Sequence, residues 1–435
     1  MNNDSKAITK IQGIILVTTI VVASIAGAAA SNLLSGPTQL ETIKIGVLAS
    51  LGTPGGKAAL QGATLAAEQI NDQGGILGKQ VEVVGEDTQL DKEIDLTKVN
   101  NALLKLISVH KVDFVLAAMG SEAALMCQDI SSEHEKIMLG IWSPEDVLTE
   151  RLLDNYDKYK YFFRVAPVNQ TIMFQGLPFC TAGLREYTGF NKVGYLGTDL
   201  LWNKGIRDGL DYVLPEIYGF ELVYRGTFPT GTKDFTSYFS AAESAGVEIL
   251  VTLIATQYGT PVVIEWHDRQ SPMVLWGINN VALSSDFWEA TGGKCEYASF
   301  VGSLPPEDFP ITNETLPYSE AYRERWEDDP FIGEAIAAFN AVRFILCDAL
   351  IRAKTTETDA VIKALEETSI ATVSTPNLRF TSNHDILVTK LWDPETGNNA
   401  VIQWQNGELV PVYPPEFMEE VGASYLYPDW PGPWD

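Results

Sequence analysis

The sequence predicts an α/β protein of two doubly wound, Rossmann-like lobes joined by a multi-strand hinge. The stretch from Ile43 to Asp87 has the pattern of a β-loop-α-β unit, the seed of a parallel sheet covered by helices. Strand and helix then alternate regularly, break at Pro167 and resume at Lys192. The chain has 435 residues, too many for one ordinary core.

The first strand, Ile43 to Leu48, leads into a loop rich in Gly, Ser and Pro. Leu60, Ala63, Ala67 and Ile70 recur at helical spacing, which predicts a helix to Asn71 with one face on the sheet. The turn Gly74-Gly75-Ile76-Leu77-Gly78 precedes a strand through Val81, Val83 and Val84. Leu96, Val99, Leu103 and Ile107 mark the next helix, and Val112–Ala118 and Lys136–Ile141 are apolar strands covered on both faces. Tyr161 to Pro167 is an extended crossing out of this lobe.

Further strands are predicted at Lys192–Gly197, Glu221–Gly226, Glu248–Ile254 and Pro272–Gly277, with a helix from Phe235 to Ser244. Ser299–Leu304, followed by Pro305-Pro306, crosses back. A long helix from Phe331 to Ala353 carries Ile336, Phe339, Val342 and Leu346 on its apolar side. Strands at Leu387–Leu391 and Ala400–Trp404, the latter turning at Asn406-Gly407, end the regular structure. The expected first lobe is residues 41–166 plus 303–378, and the second is 167–302 plus 379–420. Residues 421–435, aromatic and proline-rich, are expected as a surface strap.

Residues 1–40 stand apart. Lys6 and Lys10 precede an uncharged run from Ile11 to Leu40, in which the small residues Ala28 to Ser31 follow the apolar core. The run suits a cleaved export signal, and it is also long enough to span about 30 Å of bilayer as an uncleaved anchor. Both readings place the remainder outside the cytoplasm. The four Cys, at 127, 180, 295 and 347, form no Cys-x-x-Cys pair, so a zinc site is disfavoured; disulfides and buried thiols both remain open.

The net charge of −27 argues against nucleic acid, which needs a Lys/Arg patch. Gly52-Thr53-Pro54-Gly55-Gly56-Lys57 follows a strand and opens a helix, but the glycine spacing is one short of a phosphate loop and Ala58 stands where Ser or Thr binds magnesium. Nucleotide is therefore not expected, and neither is any cofactor or metal. G-x-S-x-G and H-E-x-x-H are absent, and His134 in Glu133-His134-Glu135 reads as a solvated turn. No spacing singles out a catalytic carboxylate pair, so an enzyme has no positive support.

Candidate binding residues lie at strand ends, where parallel sheets hold ligands. Ser50 and Leu51 follow the first strand, and Ser121 and Glu122 open a helix after Ala117-Ala118-Met119-Gly120. A serine there is either a plain helix cap or an anion contact. Trp142 and Ser143 follow the Ile141 strand, Trp202 follows the Leu196 strand, Thr256 follows Ile254, and Asn279 follows Trp276-Gly277. Trp142 and Trp202 fall where a cleft is expected, although aromatic residues at strand ends are often core.

Together these features resemble the branched-chain amino-acid-binding (Leu/Ile/Val-type) periplasmic solute-binding proteins of ABC importers. The resemblance rests on Ile43-Lys44-Ile45-Gly46-Val47, Gly62-Ala63, Ala67-Glu68-Gln69-Ile70-Asn71, Gly74-Gly75-Ile76-Leu77-Gly78, Phe163-Arg164-Val165-Ala166-Pro167, Phe228 to Phe235 and Phe339-Asn340-Ala341-Val342. It covers about Glu41 to Trp404. It implies a type I clamshell that closes on a small solute (amino acid, amide or carboxylate) and docks on a membrane permease, with no reaction catalysed. By position it implies that Ser121 holds a ligand carboxylate, that Ser143 lies near the ligand loop and that Trp202 touches ligand. Asn279 stands where amino-acid binders place the glutamate that pairs with the ligand ammonium, so the full charge is missing there. The same clamshell also serves as the ligand-binding ectodomain of sensory receptor complexes, which here would need a separate signalling partner.

Overall fold

The computed structural model describes residues 41–90, 95–254, 257–284, 286–302, 310–330, 333–388, 400–413 and 423–434. The expected signal or anchor at 1–40, the expected crossing from Ser303 to Pro306, Thr256 and most of the strand expected at 387–391 lie outside the described residues.

The first lobe is a parallel sheet of β1 (Thr42–Ala49), β2 (Gln80–Asp87), β3 (Phe114–Ala118), β4 (Ile137–Ile141) and β5 (Phe162–Arg164), in the order β2-β1-β3-β4-β5. Its strands alternate between two apolar clusters. Ile45, Val47, Phe114, Leu116, Ile137 and Leu139 face one; Leu48, Val115, Ala117, Met138 and Phe162 face the other. Both faces are dry, which is why these strands lack polar alternation.

The Pro54–Asp72 helix packs against the helical run Glu334–Ala353 through small residues. A Cβ at Gly62 would come 2.2 Å from the Ala335 carbonyl oxygen, so only glycine permits this approach. Asn71 then ties the helix end to β2, with Nδ2 donating to Val81 O at 2.8 Å and Oδ1 accepting from Val81 N at 2.7 Å. The run from Glu334 is π-helical over Ala341–Leu346, where Val342 and Leu346 stay buried.

The second lobe is the parallel sheet of β6 (Lys192–Thr198), β7 (Glu221–Phe228), β8 (Ile249–Ile254) and β9 (Val274–Asn279), in the order β7-β6-β8-β9. After β10 (Ser299–Gly302), short strands β11 (Ser369–Ile370) and β12 (Leu378–Arg379) pair with each other. The strands β13 (Ala400–Gln405) and β14 (Glu408–Tyr413) then extend β10 as an antiparallel sheet.

Two placements differ from the sequence expectation. Residues 379–388 were assigned to the second lobe, but Phe380 and Ile386 pack in the first-lobe core and Arg164 N donates to His384 O at 2.9 Å. The carboxyl-terminal strap is not merely superficial. Trp430 is buried against Trp266, with ring centroids 5.0 Å apart, and its Nε1 donates to Ser271 O at 3.0 Å. An apolar ring with one satisfied N–H gains more by burial than a surface lie would give. All four cysteines are buried.

Candidate functional site

The carboxyl ends of β3 and β6 face each other across the lobes. Glu122, in the first turn of the Ser121–Glu133 helix, accepts at Oε1 from Leu201 N at 2.8 Å. Leu201 opens the Leu201–Glu216 helix of the second lobe, and Leu200 before it offers no side-chain cap. A first-lobe carboxylate thus caps a second-lobe helix, satisfying an orphan donor at the positive end of its dipole. Asp146 does the same nearer the hinge, accepting from Gln170 N at 2.9 Å and Thr171 N at 3.1 Å.

The loop after β1 folds tightly onto the helix it starts. Thr53 N donates to Ser50 O at 3.0 Å, and Thr53 Oγ1 accepts from Gly56 N at 3.0 Å. A Cβ at Gly56 would lie 1.9 Å from Ser50 O, so glycine is required by the close approach. Leu51 N donates to Asp87 Oδ1 at 3.0 Å. The loop therefore occupies donors that a phosphate cradle would leave open.

Ser121 is fully buried and its Oγ accepts from Glu145 N at 3.2 Å. Ser143 Oγ donates to Met119 O at 2.7 Å. Both hydroxyls thus knit the β3 and β4 loops together. Arg164 fixes the same segment from below, donating to Ser143 O and, at 2.9 Å, to Glu145 O. Trp202 packs in the second-lobe core with Ile206 and Leu210. Its backbone oxygen accepts from Gln170 Nε2 at 2.9 Å.

Several buried side-chain polar atoms have no hydrogen-bond partner among the described residues, Thr198 Oγ1 at the end of β6 and Thr88 Oγ1 after β2 included; two of the side chains concerned are candidate binding residues. Asn279 is 1% exposed, and neither its Oδ1 nor its Nδ2 has a hydrogen-bond partner among the described residues. Its Oδ1 lies against the start of the Gly259–Asp268 helix, where a Cβ at Gly259 would come within 1.9 Å. Trp142 holds a left-handed φ of 57°, a rare conformation for a bulky residue, and its buried Nε1 has no partner among the described residues. By contrast, the indoles of Trp266, Trp276, Trp404 and Trp430 all donate within the second lobe. Trp326 Nε1 is likewise buried without a partner among the described residues, its ring packed against the first-lobe core beside Arg325. An unmade bond on a buried polar atom costs about 1–3 kcal/mol.

Sequence reasoning missed Glu334. Its carboxyl is enclosed at the first turn of its helix, and a Cβ at Gly55 would come 2.7 Å from its Oε1. Desolvation pushes the carboxyl up to about 7. Its neighbour Gly333 lies under the Trp142 indole, where a Cβ would meet Cζ2 at 2.5 Å. In sequence Glu334 looks like any acid favoured at a helix amino terminus. Among the described residues no His, Cys, Asp and Glu cluster is arranged to hold a metal.

Two parallel sheets whose strand ends oppose one another across a hinge define a type I periplasmic-binding-protein clamshell. The sequence profile of the periplasmic binding protein family matches residues 42–392, and the chain belongs to that family, whose members bind rather than catalyse. The chain is 22% identical over 370 residues to Leu/Ile/Val-binding protein homolog 7 of Brucella suis, covering 82% of this chain and 87% of that protein. Its fold is similar to the branched-chain amino acid transporter substrate-binding protein LivJ of Streptococcus pneumoniae, solved with isoleucine. That match has a TM-score of 0.70 and 19% identity, over 85% of this chain and 98% of that one. It is also similar to an ABC transporter solute-binding protein of R. palustris solved with benzoate, with a TM-score of 0.67 and 14% identity over 85% of this chain and 95% of that one.

Proposed function

We propose that this protein captures a small polar solute, an amino acid, amide or carboxylate, between its lobes and delivers it to the permease of an ABC importer. The observation that carries the reading is Asn279: a buried amide at a strand end with neither polar atom bonded among the described residues. A solute inserted between the lobes would supply the missing partners. Ser50, Leu51 and Trp142 form the first-lobe wall and Asn279 the second. Thr256, which lies outside the described residues, joins the proposal only by its place after Ile254 in the sequence. Ser121 and Ser143 hold the β3 and β4 loops in place, Trp202 stiffens the second lobe, and Glu122 stabilises the closed form.

The relatives solved with isoleucine and benzoate support solutes of this size. Residues 1–40 are the export signal or anchor that puts the lobes on the outer side of the membrane. Among the described residues no helix is long and apolar enough to cross it. The test is mass spectrometry of what native protein releases on denaturation. A small polar solute, near one per chain, is expected; recovery of a nucleotide contradicts the reading.

A further inference from the structure

Residues 41–435 hold two Asn-x-Thr triplets, Asn169-Gln170-Thr171 and Asn313-Glu314-Thr315. On an exported chain such a triplet is an acceptor for an N-linked glycan, carried on a surface loop. The fold treats the two asparagine amides in opposite ways.

Asn169 belongs to the lobe junction. It is half-buried, and its Nδ2 donates at 3.0 Å to Oδ2 of Asp385, which is itself buried beside Arg164. Thr171 Oγ1, the hydroxyl of the same triplet, donates to Asp146 Oδ2 at 2.7 Å. A sugar on Asn169 Nδ2 would replace one of its two protons next to a buried ion pair.

Asn313 is exposed, in the turn before the Thr315–Trp326 helix, and its side chain has no hydrogen-bond partner among the described residues. Its neighbours, by contrast, are pinned. Thr312 Oγ1 donates to Thr372 O at 2.7 Å and accepts from Glu314 N at 3.1 Å. Thr315 is buried, and its Oγ1 donates to Val373 O at 2.7 Å and accepts from Thr312 N at 2.9 Å. The result is a fixed turn with an unengaged amide at its tip. The buried hydroxyl also sets an order of events. A transferase reads the hydroxyl together with the asparagine, and once Thr315 has docked on Val373 that hydroxyl is out of reach.

We propose that Asn313 carries an N-linked glycan, transferred before its turn docks, and that Asn169 is bare in the folded protein. This rests on the export reading above. The donor is an oligosaccharide on a polyprenyl diphosphate. Asn313 Nδ2 attacks the anomeric carbon, and the N–C bond forms as the C–O bond to the diphosphate breaks. The polyprenyl diphosphate leaves with the electron pair, the amide gives up one proton to the transferase, and nothing is oxidised or reduced.

Tryptic mapping of protein isolated from the envelope of its source cells tests this, because the triplets fall on separate peptides, residues 165–185 and 295–323. The expected result is a sugar on Asn313 in the second peptide and an unmodified first peptide. Asn313→Gln should remove the glycan mass and leave the melting temperature unchanged, since the amide it replaces has no partner among the described residues. Chain translated in the presence of source-cell membranes should gain the glycan, and folded, unmodified protein added to the same membranes should not. A bare 295–323 peptide, or a sugar on 165–185, overturns the assignment while export and solute capture stand. Equal transfer to the folded protein overturns the proposed order. Recovery from the cytosol alone removes the export reading and this inference together.

Discussion

Arg164 and Asp385 meet at the lobe junction as a buried ion pair, with Nε 3.1 Å from Oδ1. The approach is off the line of the N–H, so the contact is electrostatic rather than a formed hydrogen bond. The pair joins β5 to a segment more than two hundred residues later. Asp385 Oδ2 also accepts from Asn169 Nδ2 at 3.0 Å and Thr149 Oγ1 at 3.3 Å. Arg164 in turn clamps the carbonyls of Ser143 and Glu145. The pair therefore sets the level of the cleft loop and the start of the crossing together.

Removing one partner strands a buried charge. Asp385→Ala should lower stability by about 3–5 kcal/mol, read as a drop in the urea midpoint. The double replacement Arg164→Met with Asp385→Leu should recover part of that loss, because an apolar pair leaves no charge unpaired. A single variant as stable as wild type would show that the pair does not matter to the fold.

Glu122 caps the Leu201–Glu216 helix only while the lobes are together. Loss of such a cap costs about 1 kcal/mol, which is about fivefold in affinity. Glu122→Ala should weaken solute binding by that factor, chiefly through faster release, with little change in the melt of the unliganded protein. Stopped-flow dissociation kinetics check this. Added salt should narrow the difference between variant and wild type.

The Glu334 carboxyl titrates from an ordinary 4.5 to about 7 on folding. The sign follows from which state holds the proton. Below 4.5 both states are protonated and nothing is lost. As pH rises from 4.5 to 7 the unfolded carboxyl ionises and the folded one does not, so folding weakens with rising pH, by about 3 kcal/mol at most. Glu334→Gln should therefore raise the melting temperature at pH 8 and leave it nearly unchanged at pH 4. Equal shifts at both pH values would refute the buried-acid account.

Trp430 anchors the carboxyl-terminal segment in the second lobe. Trp430→Ala removes a buried ring and its bond to Ser271, for a loss of about 3–5 kcal/mol. Denaturant melts measure it, and a change within error would mean the segment only lies on the surface.

The parallel sheets were legible because Ile45, Val47, Phe114 and Leu116 form unbroken apolar strands between spaced helices, a local pattern. Gly62 and Asn71 matched the family motif, and the structure supplies their reasons in a helix contact and a strand tie. The site was legible only as strand ends. Among the described residues Trp142 and Asn279 carry unpaired groups, while Ser121, Ser143 and Trp202 also make contacts within their own lobes. Which way a strand-end side chain turns depends on tertiary neighbours that local sequence does not encode. Glu334 was invisible for the same reason: Gly55 and Gly333, which define its corner, lie hundreds of residues apart.

The central claim is that one solute is held by both lobes at once. The direct measurement is calorimetric titration of the co-purified solute into Trp142→Phe, Asn279→Ala and the double variant. Each single change, one per lobe, should weaken the same solute about five- to thirtyfold, about 1–2 kcal/mol for one polar contact. The folded unliganded protein should be no less stable, since neither removed polar group has a partner among the described residues. Undiminished affinity in both single variants would contradict a site between the lobes.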